Sequence, residues 1–256
     1  ALTAGAYSGI GISTAHELGH KNTALEKWMA KILLAVPVYG HFVIEHNRGH
    51  HIWVATPKDP ASARMGESIY AFTCREMPGA FVRGFELEKQ RLAKKGQSFW
   101  SVENNLLQSY GLSALLQGGL IYAFGWIMLP FLIIHNIWAW FILTSANYIE
   151  HYGLLREKLP NGRYEKCQPH HSWNANFIIS NVQFFNIQRH SDHHANPTRR
   201  YQSLRNFEHI PQMPIGYHGM YMLAYFPPLW FRVMDRKLLS LPHINGDLSK
   251  VNRHTI

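Results

Sequence analysis

Residues Asn104–Ile149, NNLLQSYGLSALLQGGLIYAFGWIMLPFLIIHNIWAWFILTSANYI, contain no Asp, Glu, Lys or Arg and a single histidine, His135. A membrane-crossing helix needs about 20 apolar residues, so this stretch is long enough for two. Gly125 and Pro130 near its middle suit the turn of a helical hairpin. The competing reading is a buried core hairpin of a soluble protein, and uncharged runs of this length are rare outside membranes. The stretch therefore predicts an all-α, multi-span transmembrane helical bundle. Two crossings return the chain to the side it left, so His51 and His151 should face one compartment.

Outward from the hairpin the pattern changes on both sides. The preceding segment Arg83–Lys95, RGFELEKQRLAKK, is basic, which marks its side as cytoplasmic. Leu25–Ile44 is mostly apolar but carries Glu26, Lys27, Lys31 and Pro37. It is too short to cross twice, so it should dip and return or lie beside the bundle. Ala1–Ala15, ALTAGAYSGIGISTA, is uncharged and reads as the end of a membrane helix whose start is missing. Residues 150–256 are mainly polar and are expected to form a cytoplasmic helical and loop cap. Within them, Tyr217–Phe231 fits either an interfacial aromatic belt or an ordinary core segment. We read residues 1–256 as one membrane-embedded domain.

Bulk composition narrows the classes. The 256 residues are 46% hydrophobic with a formal charge of +9, yet mean hydropathy is only -0.18, so apolar residues are segregated along the chain. No nucleic-acid-binding motif accompanies the basic residues, and lipid head groups or an acidic protein fit the charge better. Cys74 and Cys167 form no C-x-x-C pair, which excludes a disulfide framework, a zinc ribbon and a rubredoxin-type iron site within this chain.

Histidine is concentrated in four runs: His16-Glu-Leu-Gly-His20, Glu45-His46-Asn-Arg-Gly-His50-His51, Glu150-His151 and His190-Ser-Asp-His193-His194. Successive helical side chains turn by about 100°, so His16 and His20 share a face, as should His46 and His50, with His51 splayed from His50. One ion takes at most about six ligands; nine candidates arranged in splayed neighbours point to two metals. Imidazole suits Zn, Cu, Fe and Ni. Glu17, Glu45, Glu150 and Asp192 sit beside candidate ligands and could orient their N–H groups, with Asn147 in the same run as Glu150.

Two other readings compete. His16–His20 is a literal H-E-x-x-H, the zinc-protease helix, though that leaves three runs unexplained. A metal transporter would string histidines along a membrane path, whereas these cluster at segment ends. His41, His135, His170, His171, His209, His218, His243 and His254 match no ligand pattern; the pair His170-His171 is the one to watch.

The fuller text around the runs resembles a family. HELGHK (16–21), EHNRGHHIWVATPKDPASAR (45–64), NYIEHYGLLR (147–156) and QRHSDHHANPTRRYQSL (188–204), with GESIYAF, KKGQSFWS and PHHSWN, resemble the alkane 1-monooxygenases within the membrane histidine-box oxygenases and desaturases. NYIEHYG matters most, since acyl desaturases in general lack it. The resemblance implies a multi-pass enzyme of the bacterial inner membrane with its site toward the cytoplasm. It implies two non-haem Fe ions on His16, His20, His46, His50, His51, His151, His190, His193 and His194, none substituted here. O2 and two electrons from rubredoxin, itself reduced by a rubredoxin reductase, would convert a straight-chain alkane to its 1-alkanol. Hydroxylation or desaturation of an acyl lipid or an aromatic methyl group is the alternative within this chemistry.

Two sets of residues are candidates for the remaining roles. Trp138, Trp140 and Phe141 of the hairpin could line an alkane channel. The basic residues Arg156, Lys158, Arg163, Lys166, Arg199, Arg200 and Arg205 flank the last two histidine runs and could dock an acidic rubredoxin. The family has further helices before the first run, which leaves chain-length selectivity open.

Overall fold

The computed structural model describes residues 1–253; His254 lies outside them. The regular elements among these residues are helices, in the order α1 (Leu2–Gly19), α2 (Ala24–Ala35), α3 (Phe42–Glu45), a π-helical turn (His46–His50), α4 (His51–Trp53), α5 (Ile69–Lys94), α6 (Asn105–Phe124), α7 (Met128–His151), α8 (Ile178–Gln183), α9 (His190–Ala195), α10 (Tyr217–Ala224) and α11 (Pro227–Leu239). Contacts divide the chain into two compact units, Ala1–Gly49 with Met77–Leu143, and His50–Glu76 with the residues from Thr144 onward.

In the first unit the uncharged stretch forms the expected helical hairpin. Asn104 caps α6 by accepting from the backbone N–H groups of Leu106 and Leu107. Gly125, at φ 81, ends α6 in a conformation that favours glycine. Pro130 falls in the first turn of α7 rather than in the connection, where its missing N–H costs nothing. Of the described helices, α7 alone is long and apolar enough to cross a membrane; Asn, Gln and Ser residues dilute α6.

Helix α1 continues through the first histidine run. Gly5 and Gly9, four residues apart, bring it hard against α7: a Cβ on Gly5 would lie 2.7 Å from the His135 carbonyl, and one on Gly9 2.7 Å from Ile142 Cβ. Polar side chains tie the same helices together. Ser8 Oγ lies 2.8 Å from His135 Nε2, and the Gln117 amide donates to Asn136 Oδ1 and to the Val36 carbonyl, each at 3.1 Å. The amphipathic α2 packs beside α1 and α6, and the chain reverses at Pro37–Val38, where Trp140 Nε1 donates to the Pro37 carbonyl at 2.6 Å. Leu25–Ile44 thus folds back, as its length demands. Ile12, Ala15, Ala30, Leu34, Tyr39 and Phe42 form the core there.

The second unit is built around large buried aromatics, Trp173, Trp230, Tyr148, Tyr152, Tyr217 and Phe72. Two of their hydroxyls are satisfied: Tyr148 Oη donates to the Glu67 carbonyl and Tyr152 Oη to Asp235 Oδ1, both at 2.7 Å. Tyr217 and Trp230 therefore follow the core reading of their segment, while Phe226 and Leu229 between them stand exposed.

Candidate metal centre

Each histidine run enters the structure on its own element. His16 and His20 share a face of α1, with ring centroids 4.8 Å apart, and His46 completes a triad at 4.5 and 5.1 Å from them. Ligand atoms of these three lie within 4.8 Å of one another. Close packing positions the triad: a Cβ on Gly19 would meet Val43 at 2.6 Å, and Asn47 Nδ2 donates to the Gly19 carbonyl at 2.8 Å.

In the second unit His50, His151, His190 and His194 form a buried tetrad, again with ligand atoms within 4.8 Å. His151 Nε2 and His194 Nε2 stand 3.1 and 2.9 Å from His190 Nε2. Nitrogens bound to one ion at about 2.1 Å and at right angles are separated by about 3.0 Å. The same spacing between neutral imidazoles would press lone pairs together unless a proton or a cation lies between them, so the donor set fits a metal. His51 Nε2 and His193 Nε2 form a further pair at 3.1 Å.

One expectation is corrected. His46 and His50 do not serve one face: His46 belongs to the triad and His50 to the tetrad. Both lie in one π-helical turn, with i→i+5 bonding, and Asp59 holds the His50 ring from the other side, 2.8 Å from its Nδ1. In α9 the ordinary rule holds, with His190 and His194 together and His193 turned toward His51.

The carboxylates are held by definite partners. Glu17 pairs with Lys21 at 2.8 Å. Glu45 accepts from Arg83 Nε at 2.7 Å. Glu150 is buried, accepts from Tyr217 Oη at 2.6 Å and has its other oxygen 3.4 Å from His190 Nε2. Asp192 accepts from Arg205 at 2.9 Å and from Arg199. Burial alone would raise the Asp192 carboxyl, but the Arg205 and Arg199 hydrogen bonds outweigh it and hold the group below its ordinary range. Asn147 donates to Glu76 Oε1 at 3.2 Å.

Sequence reasoning missed Asp59. Its Oδ2 lies 2.8 Å from His50 Nδ1 and also accepts from Ser62 Oγ at 2.7 Å. A carboxylate there keeps the ring proton on Nδ1, which leaves Nε2 as the nitrogen that could bind a metal. Burial first, then the neighbouring imidazoles, holds His194 well below the usual histidine range, which keeps it in the neutral form that ligates. Glu76, joined to Thr144 as well as Asn147, and Tyr217 also went unread.

The other candidates are placed as follows. Trp140 packs on the core of the first unit, and Trp138 stacks on Phe141 at 5.5 Å. Lys158, Arg163, Lys166, Arg200 and Arg205 are exposed and Arg199 is half-buried. Arg156 differs: it is buried, with its guanidinium donating to the carbonyls of Ile52 and Glu165 at 2.8 and 2.7 Å.

The fatty acid desaturase family model matches residues 1–226. The chain belongs to that family. Within it, the chain is 57% identical over 98% of its length to an alkane 1-monooxygenase of Pseudomonas putida and 56% identical, also over 98%, to alkane 1-monooxygenase 1 of Alcanivorax borkumensis. A more distant relative, at 30% identity over 89% of this chain and 60% of its own length, is the xylene/toluene monooxygenase hydroxylase component XylM of Pseudomonas putida. The chain spans 62% of the length of each of the two alkane 1-monooxygenases. Its family membership accounts for the histidine clusters, where a protease reading would leave most of them without a role.

Proposed function

We propose that this chain is the metal-bearing part of a membrane monooxygenase that converts straight-chain alkanes to 1-alkanols. The observation that carries the reading is the 57% identity, over 98% of this chain, to an alkane 1-monooxygenase. The overall change is R–CH3 + O2 + two electrons + two protons to R–CH2OH + H2O. The nine histidines of the four runs are the proposed ligands of two Fe ions. What that pair supplies when bound is activation of O2 and acceptance of the two electrons.

The protein's own groups do the rest. Asp59 fixes the tautomer of His50, burial keeps His194 neutral, and Glu150, held by Tyr217, faces His190 with a buried carboxylate oxygen. The apolar hairpin excludes water from the reacting C–H bond; Trp138, Trp140 and Phe141 are proposed to limit the alkane length it admits. We place the enzyme in the bacterial inner membrane as a multi-pass protein with its site toward the cytoplasm. Rubredoxin is the proposed electron donor, docking on Lys158, Arg163, Lys166, Arg200 and Arg205, with Arg199 beside them; Arg156, buried, is left out of that surface.

The test is an assay of the full-length protein in membranes with rubredoxin and its reductase. Octane, dodecane, hexadecane and xylene are supplied, and products are separated by gas chromatography. A 1-alkanol is expected; no alkanol from any chain length would overturn the reading, and a benzylic alcohol alone would move it to the aromatic methyl class that XylM suggests. In the same assay Trp138→Ala and Phe141→Ala should shift the product profile among the alkanes, and Arg200→Glu with Lys158→Glu should slow turnover in a salt-dependent way.

A further inference from the structure

His170 and His171 form no part of the triad or the tetrad. With Glu165 they make a third group whose ligand atoms lie within 4.8 Å of one another. The group lines an open cleft of about 730 Å³ in the second unit, and His243 lines the same cleft. The His243 ring stands 4.7 Å from that of His170. That spacing falls within the 4.5 to 5.1 Å found between neighbouring rings of the tetrad. Rings so placed can share one ion.

His171 plays a different part. The Gln168 backbone N–H donates to His171 Nδ1 at 2.9 Å, so the ring proton sits on Nε2. From there it donates to Glu165 Oε1 at 3.2 Å. A histidine in that tautomer cannot offer Nε2 to a metal, but it fixes the direction of the carboxylate. We propose that Glu165, His170 and His243 form an accessory site for a divalent transition metal of the zinc class, with His171 as the positioning residue for Glu165. Two imidazoles and a carboxylate are a donor set that Zn accepts, and a second-layer hydrogen bond to the carboxylate is the usual companion of such a site.

Glu165 and His170 belong to one segment and His243 to the turn after α11, so an ion there acts as a clip between the two. The clipped segment is already fastened to the elements that carry the tetrad. Trp173 N–H donates to the Glu150 carbonyl at 2.8 Å and Ser191 N–H to Asn174 Oδ1 at 2.9 Å, while Ser191 Oγ donates to the Pro169 carbonyl. Occupancy therefore stiffens the end of α7 at His151 and the start of α9 at His190.

The experiment dialyses the iron-loaded full-length protein in lipid nanodiscs against Zn(II) and counts zinc and iron per chain. Wild type should hold one zinc more than His170→Ala or His243→Ala, at equal iron content. Zinc should also raise the unfolding temperature of wild type and leave that of both variants unmoved. Equal zinc counts in wild type and variants would overturn the proposal, as would protection by phosphate in place of zinc. Should His170→Ala fail to fold, His243→Ala, on the turn after α11, carries the test. The count is independent of alkane oxidation, so failure here and failure of the proposed reaction are distinguishable.

Discussion

Asp59 shows how one acceptor sets the chemistry of a neighbouring ring. Asp59→Asn keeps the size but removes the charge that holds the His50 proton on Nδ1, and we expect metal affinity to fall by about 10–100-fold. Iron retention under a chelator challenge reads this directly; unchanged retention would mean the tautomer is set elsewhere. Asp192 supplies a second residue-scale expectation. Its folded pKa lies below the ordinary 3.8 because Arg205 and Arg199 outweigh burial. The unfolded chain thus binds the proton more tightly, so the stabilisation is present above about pH 4 and is lost as pH falls through the depressed folded value. Asp192→Asn should flatten the acid limb of the unfolding curve; an unaltered limb would assign it to other carboxylates. The histidine clusters were legible because imidazoles at helical spacing are rare and conspicuous. Asp59 was not, because it reaches His50 from a loop, where no periodicity predicts a contact.

At the scale of the element, helical spacing was read as though the backbone kept its ordinary repeat. α1 and α9 did, and their histidines at four-residue spacing fell together as the α-helical rule requires. The π-helical turn at His46–His50 did not, and nothing in HNRGH announces i→i+5 bonding. The hairpin was readable from charge alone, yet its turn used Gly125 and left Pro130 inside α7, because a proline in a first helical turn is as comfortable as one in a loop. The stop of α7 makes a quantitative case. Gly153, two residues after His151, has φ +72, and a Cβ there would lie 2.2 Å from Leu238 Cδ2. Gly153→Ala should cost about 1–3 kcal/mol through backbone strain and overpacking together. Thermal unfolding of Gly153→Ala, alone and combined with Leu238→Ala, separates the two causes. Relief by the second change would identify the clash, and a purely additive result would leave the backbone as the whole of the cost.

For the whole molecule the question is which solvent its apolar surface is built for. Ile127, Leu129, Ile133, Ile134 and Ile137 on and just before α7 are exposed at 74, 43, 50, 46 and 53%, and Leu115, Tyr122 and Phe124 on α6 at 76, 94 and 66%. Scattered apolar residues are normal on soluble proteins, but a continuous band of this kind marks an interface with lipid or protein. The two solvents make opposite predictions for one substitution. In water, Ile133→Lys or Ile137→Lys replaces an exposed apolar side chain by a hydrated one, leaving the fold intact and raising solubility. In a bilayer each places a charge within a span, at a cost of up to about 2.5–3.5 kcal/mol on the insertion scale and larger for Ile137, which lies nearer the middle of α7, so the fraction of full-length protein that resists alkaline carbonate extraction should drop. Ile133→Ala keeps the surface apolar and should leave extraction unchanged, which separates the charge from the loss of volume. The bilayer reading predicts the drop for both lysine variants. Undiminished carbonate resistance in both would mean that α7 meets protein at these positions rather than lipid.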